Sequence, residues 1–144
     1  MANDKKQQLL DQRYLKMADI WSQNSYCKRR QVGALLVKDQ MIISDGYNGT
    51  PSGFENCCEE EDGLTKWYVL HAEANAILKV ASSNHSCRDA TLYLTLSPCM
   101  HCSKLIHQAG IKRLVYINGY KDDSGLQFLE KAGVELVQIP EITQ

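Results

Sequence analysis

The stretch Ala90-Thr-Leu-Tyr-Leu-Thr-Leu-Ser-Pro-Cys-Met-His-Cys102 passes from a short apolar run through a Pro-Cys pair into a helical pattern. Residues 90–96 read as a strand and residues 98–109 as a helix that Gly110 stops. Proline suits a first helical turn, where its missing amide hydrogen is not needed. Downstream, residues 113–117 read as a strand, residues 124–132 as a short helix ended by Gly133, and residues 134–139 as a closing strand. Strand and helix therefore alternate, which requires parallel strands joined by right-handed helical crossovers.

Upstream of that stretch the pattern changes. Residues 32–37, an Asp39-Gln40 turn and residues 41–44 form an antiparallel hairpin, and residues 72–82 a helix. Leu9, Leu10, Tyr14, Met17, Ala18 and Trp21 recur at helical intervals, predicting a helix over residues 6–24 that packs through this face. The expected fold is α/β, a three-layer α/β/α sandwich around a mixed five-stranded sheet, in a single domain over residues 1–144. Residues 46–63 form a long loop, a length uncommon without a task, and are read as facing a substrate.

With 44% hydrophobic and 23% charged residues and a net charge of −1, the sequence has a globular composition and lacks the basic excess of a protein that holds a nucleic-acid polymer. The polar N-terminus and the lack of a long apolar run predict no membrane span and a cytoplasmic location. In that compartment the six cysteines read as metal-binding or catalytic rather than as a disulfide framework.

Cys99 and Cys102 lie three residues apart at a helix start, so both sulfurs reach one point and the positive helix end favours thiolates. Cys-x-x-Cys alone fits a redox pair, half a structural zinc site or buried thiols. His71-Ala72-Glu73, also at a loop-to-helix junction, narrows the choice to Zn2+ held by His71, Cys99 and Cys102 with a fourth position open, as in catalytic sites. His101 and His107 are the alternatives for that position, although His101 points away from the Cys99/Cys102 face. Glu73 then faces the site, where it can take a proton from a metal-activated water and return it to a leaving group.

His-x-Glu followed by Pro-Cys-x-x-Cys is the signature of the zinc nucleobase deaminases. Beyond it the chain resembles the deoxycytidylate deaminase family, within the cytidine-deaminase-like superfamily, nearly end to end. The resemblance is carried by Val32-Gly33-Ala34, Gly46-Tyr-Asn-Gly-Thr-Pro-Ser-Gly53, His71-Ala-Glu-Ala-Asn-Ala76, Ser97-Pro-Cys-Met-His-Cys102 and Gln108-Ala-Gly-Ile-Lys112. The Gly46-Tyr-Asn-Gly run narrows it to nucleoside monophosphate deaminases. It implies a cytidine-deaminase-like fold and zinc-dependent conversion of dCMP to dUMP and ammonia, supplying thymidylate synthesis. It makes Glu73 the proton carrier to N3 and the departing amine, sets the Ala72 amide and the Ser97 backbone against the base, and puts Asn48 at the sugar and phosphate. Tyr47 or Tyr120 would flank the nucleotide. The resemblance further implies a homo-oligomer, commonly hexameric, with dCTP and dTTP as effectors.

On chemical grounds Arg29, Arg30 or Lys121 are candidates to neutralise a phosphate. Some relatives use cysteines near Cys27 and Cys57 for a second, structural zinc. Here the stretch between residues 55 and 70 is short, and Cys58, His85 or Cys87 are the substitutes available. Two other readings stay open: a deaminase of tRNA adenosine, guanine or a free nucleoside, and a silent nucleotide-binding module that keeps zinc for folding. Balanced charge weighs against the RNA-acting version, and Glu73 weighs against the silent module.

Overall fold

The computed structural model describes residues 2–142, so the expected domain of residues 1–144 extends past the described residues at Met1, Thr143 and Gln144. The elements run α1 (Ala2–Ser22), β1 (Gly33–Lys38), β2 (Met41–Tyr47), α2 (Ala72–Ala81), β3 (Thr91–Leu96), α3 (Met100–Gln108), β4 (Arg113–Asn118), α4 (Ser124–Lys131) and β5 (Glu135–Gln138). The sheet order is β2-β1-β3-β4-β5. β1 pairs antiparallel with both β2 and β3, whereas β3, β4 and β5 run parallel. The alternation of strand and helix predicted from residue 90 onward, with an antiparallel hairpin at one edge, is what forms.

The three central strands are buried on both faces, and successive side chains divide between two cores, as the two-residue period of a strand requires. Ala34, Leu36, Leu92, Leu94, Leu114 and Tyr116 pack toward α2, α3 and α4. Leu35, Val37, Tyr93, Val115 and Ile117 meet Leu15 and Ala18 of α1 on the other face. Each fully buried aliphatic side chain contributes roughly 1.5–3 kcal/mol relative to exposure. Three layers result, with α1 alone on one side of the sheet.

Three local expectations need correcting. β2 continues to Tyr47, so the irregular segment runs over residues 48–71, held by isolated bridges between Gly49 and Leu70 and between Glu59 and Thr65. α3 begins at Met100 with Cys99 as its N-cap, so Pro98 precedes the helix and does not open its first turn. The third correction concerns the face of α1. Tyr14 and Ala18 pack as expected, but Leu9, Met17 and Trp21 are substantially exposed, and Asp11, Leu15 and Ser22 are buried in their place.

An ionic anchor causes that rotation. Asp11 Oδ1 accepts hydrogen bonds from Tyr93 Oη at 2.6 Å, Arg113 Nη1 at 2.8 Å and Gln7 Nε2 at 2.9 Å, and Oδ2 accepts from Arg113 Nη2 at 2.6 Å. Arg113 also donates through Nε to Glu135 on β5. Burial opposes ionisation of Asp11, but the hydrogen bonds from Arg113, Tyr93 and Gln7 outweigh it, and its pKa lies below the usual 3.8. A carboxylate that sequence periodicity assigns to the solvent side thus pins α1 across β3 and β4.

Asp11→Ala is expected to lower stability by about 3 kcal/mol, the low end for breaking a buried pair, because Glu135 still partners Arg113. Urea denaturation at neutral pH measures this, and a loss below about 0.5 kcal/mol would contradict the anchor. Since the folded pKa of Asp11 is depressed, its contribution is present above the unfolded aspartate range and fades as pH falls below 3.8. Asp11→Asn should flatten that acid limb.

Candidate active site

α2 and α3 point their N-termini at the same place. His71 is the N-cap of α2 and Cys99 the N-cap of α3, with Cys102 in the first turn of α3. His71 Nδ1 lies 3.6 Å from Cys99 Sγ and 3.4 Å from Cys102 Sγ. Tetrahedral zinc with ordinary Zn–N and Zn–S bonds separates such donors by about 3.6 Å, so the set fits this ion. Among the described residues no fourth His, Cys, Asp or Glu joins His71, Cys99 and Cys102. His101 is exposed, and the His107 ring lies edge-on to Phe128 at 5.9 Å, so neither completes the group.

The electrostatics of this corner follow from its packing. Hydrogen bonds from Cys102 and His71 bring the Cys99 thiol down to about 3, a thiolate at any ordinary pH. The same contact with Cys99, together with burial, pushes Cys102 up, and the bond to Cys99 raises His71. Glu73 is 4% exposed, and burial raises its pKa to about 7. Its carboxyl interacts with the Cys102 side chain.

A cavity of about 270 Å³ opens beside this corner. It is lined at one end by His71, Ala72, Glu73, Ser97 and Cys99 and elsewhere by Arg29, Arg30, Asn48 and Tyr120. Ser97 is fixed at both polar ends, its amide donating to Asn118 O and its hydroxyl accepting from Tyr120 N at 2.9 Å. Tyr120 is 44% exposed, and burial raises its phenol pKa against the opposing charges of Arg30 and Arg29. Asn48 is committed to the backbone: its Oδ1 accepts from Val32 N at 2.9 Å and its Nδ2 donates to Arg30 O at 2.8 Å.

Of the candidates for contact with base, sugar or phosphate, Tyr47 and Lys121 do not line this cavity. The contribution of Tyr47 is a backbone carbonyl that accepts from Asn75 Nδ2 at 2.8 Å, because β2 runs on to this residue. Glu59, Thr65 and Val69 line the cavity without having been singled out from the sequence. Glu59 does fall within the loop read as substrate-facing, whereas the other two lie beyond its expected end at Gly63.

Among the cysteines outside this corner, one pair departs from expectation. Cys27 and Cys58 form a disulfide, so the general reading of cysteines as metal-binding or catalytic fails for this pair. Cys58, not Cys57, is the neighbour of Cys27, with Glu59 beside them. Cys57 and Cys87 are free, and Cys87 is buried in the core under α2 to α4. Two adjacent cysteines gave the sequence no means of telling which faces Cys27.

Comparison with known proteins bears on the same residues. The family described as cytidine and deoxycytidylate deaminase zinc-binding region matches residues 8–118. The deoxycytidylate deaminase of Enterobacteria phage T4 is 37% identical over 169 aligned positions, covering 88% of each protein. That of Saccharomyces cerevisiae is 36% identical over 89% of this chain, which spans only 44% of the yeast protein. The crystal structure of a dCMP deaminase from cyanophage S-TIM5, in complex with dCMP and dUMP, matches with a TM-score of 0.88 and 48% identity over 90% of this chain and 96% of its own.

An α/β/α sandwich with this donor set and a buried carboxyl beside it is the frame of a zinc-dependent deaminase. The chain belongs to the cytidine and deoxycytidylate deaminase family, whose zinc-binding region includes all three donors.

The corner depends on a close approach of α2 to the sheet at Gly46. A Cβ there would stand 2.4 Å from Ala72 O and 2.8 Å from Ala76 N, both backbone atoms that cannot swing away. Gly46→Ala is therefore expected to cost about 1–3 kcal/mol through overpacking, read as a lowered urea midpoint with an unchanged m-value. An unaltered midpoint would mean that α2 can retreat freely.

Proposed function

We propose that the chain hydrolyses dCMP to dUMP and ammonia, as a single domain over residues 1–144, supplying dUMP for thymidylate synthesis. One observation carries this reading: a single cavity joins the His71/Cys99/Cys102/Glu73 corner to Arg29 and Arg30. A nucleobase and an anionic group can thus be held at once. The likeness to the S-TIM5 structure, which contains dCMP and dUMP, supports the same choice of substrate.

In this reading His71, Cys99 and Cys102 hold Zn2+. When bound, zinc would lower the pKa of a water so that it is nucleophilic near neutral pH. Glu73 carries one proton of the attacking water to N3 and the other to the C4 amine, so that the C4–N bond breaks with ammonia leaving and the water oxygen stays on C4 as the carbonyl. Burial, which raises the Glu73 carboxyl above its ordinary range, suits it to carry a proton. The Ala72 amide and the Ser97 backbone orient the base. Tyr120 flanks the nucleotide, and Arg29 and Arg30 face its phosphate. Asn48 serves the sugar and phosphate end through its grip on the backbone of Arg30 and Val32.

Oligomer assembly, as a hexamer by family resemblance, and control by dCTP and dTTP belong to the same proposal. Exposed Ile20, Leu78 and Leu105 support an assembled state. No described helix is long and apolar enough to cross a membrane. A nucleotide substrate made and consumed inside cells supports a cytoplasmic location.

Glu73→Gln is expected to retain zinc and fold while kcat on dCMP falls by about 10²–10⁴, the usual loss for a proton-transfer group. Elemental analysis beside steady-state kinetics checks both halves, and near-normal turnover would refute the mechanism. Assayed side by side, dCMP should be turned over far faster than deoxycytidine, guanine or an RNA stem-loop. Preference for any of the other three would replace the substrate assigned here.

A further inference from the structure

We infer that Glu59 is a positioning residue that orients Arg29 and Arg30 toward the substrate's phosphate, and so sets affinity for the nucleotide without taking part in the chemistry. This rests on the reading of those two arginines given above.

The arginines sit on residues 23–32, the stretch between α1 and β1 that belongs to neither helix nor strand. Such a stretch has no hydrogen-bond ladder of its own, so its shape comes from its neighbours. Here the neighbour is the irregular segment over residues 48–71. One oxygen of Glu59, Oε2, accepts from the backbone amides of both Lys28, at 3.0 Å, and Arg29, at 3.2 Å. Two successive amides aimed at one carboxylate form a nest, a concavity suited to an anion. Glu59 fills it and thereby fixes the turn from which the Arg29 and Arg30 side chains leave.

Other ties reinforce the same stretch. The Cys27–Cys58 disulfide joins the residues immediately before Lys28 and Glu59. Asn48 holds Arg30 O and Val32 N, and Ser25 Oγ donates to Asn48 O at 2.8 Å. Neither Arg29 nor Arg30 forms an ion pair among the described residues, and both line the cavity together with Glu59. Two unpaired guanidinium groups held toward an open cavity suit a doubly charged phosphate. Glu59 forms no ion pair with either guanidinium among the described residues.

The test uses the zinc-loaded full chain and measures KM and kcat for dCMP, zinc content and melting temperature. Glu59→Ala is expected to raise KM about tenfold or more, as loss of charge-assisted hydrogen bonds predicts, with kcat within about twofold and zinc unchanged. Glu59→Gln, whose amide oxygen still accepts from both backbone groups, should restore most of the lost affinity. Should Glu59→Ala fail to fold, Glu59→Asp, one methylene short of the amides, is expected to show the same rise in KM.

Arg29→Ala and Arg30→Ala separate this inference from the reading beneath it. If neither changes KM, the phosphate assignment itself fails. If they raise KM while the shortened Glu59 variants match the parent, or lose zinc and kcat together with affinity, the positioning role is overturned. Failure of Glu59→Gln to restore affinity overturns it as well.

Discussion

Two helix N-termini aimed at one point are the constraint on which the rest of the structure depends. His71 and Cys99 cap α2 and α3, so the donors are set by where two rigid helices begin and not by the flexibility of a loop. Both helices lie on the same face of the sheet, and β3 delivers the chain directly to Cys99 through Ser97 and Pro98. The helix dipoles add a positive field at the corner where thiolates must persist. α1 and its ionic anchor, on the opposite face, tie together β3 and β4, the first of which leads into this corner.

Much of this was legible because it is local. The alternation of strand and helix from residue 90 onward, the hairpin and the Cys99/Cys102 pair follow from periodicity and short spacing, while His71, 28 residues before Cys99, was joined to them through the His-x-Glu motif. Tertiary partners decided the features that went unread. Asp11 is buried because Arg113, far along the chain, meets it, and no periodicity in α1 contains that information. β2 extends to Tyr47 because β1 continues to offer it partners, with Gly33 paired to Tyr47. Pro98 falls outside α3 because Cys99 takes the capping position itself, accepting from its own helix at Cys102 N.

The cavity shows the same division. Its chemical end, with Ala72, Glu73, Ser97 and Cys99, could be read from two motifs. Elsewhere Arg29, Arg30, Asn48 and Tyr120 were named as candidates, but Glu59 was not, because it meets Lys28 and Arg29 across about thirty residues that include the whole β1–β2 hairpin. For Glu59 itself, only the length of the loop signalled a task. Asn48 illustrates the point further: the resemblance named the residue, whereas the geometry shows its amide gripping main chain rather than pointing free into the cavity.

This separation bears on how such a molecule changes over evolutionary time. His71, Glu73, Cys99 and Cys102 sit at the starts of helices packed on the sheet, while the rest of the cavity wall hangs largely from residues 23–32 and 48–71, which belong to no helix or strand and whose isolated bridges, Gly49 with Leu70 and Glu59 with Thr65, lie within the second segment. Insertions, deletions and exchanges in that pair of segments can redraw which molecule is admitted while the reaction is inherited intact. A lineage built this way can explore new substrates by editing its periphery, with no need to reinvent the hydrolytic step each time.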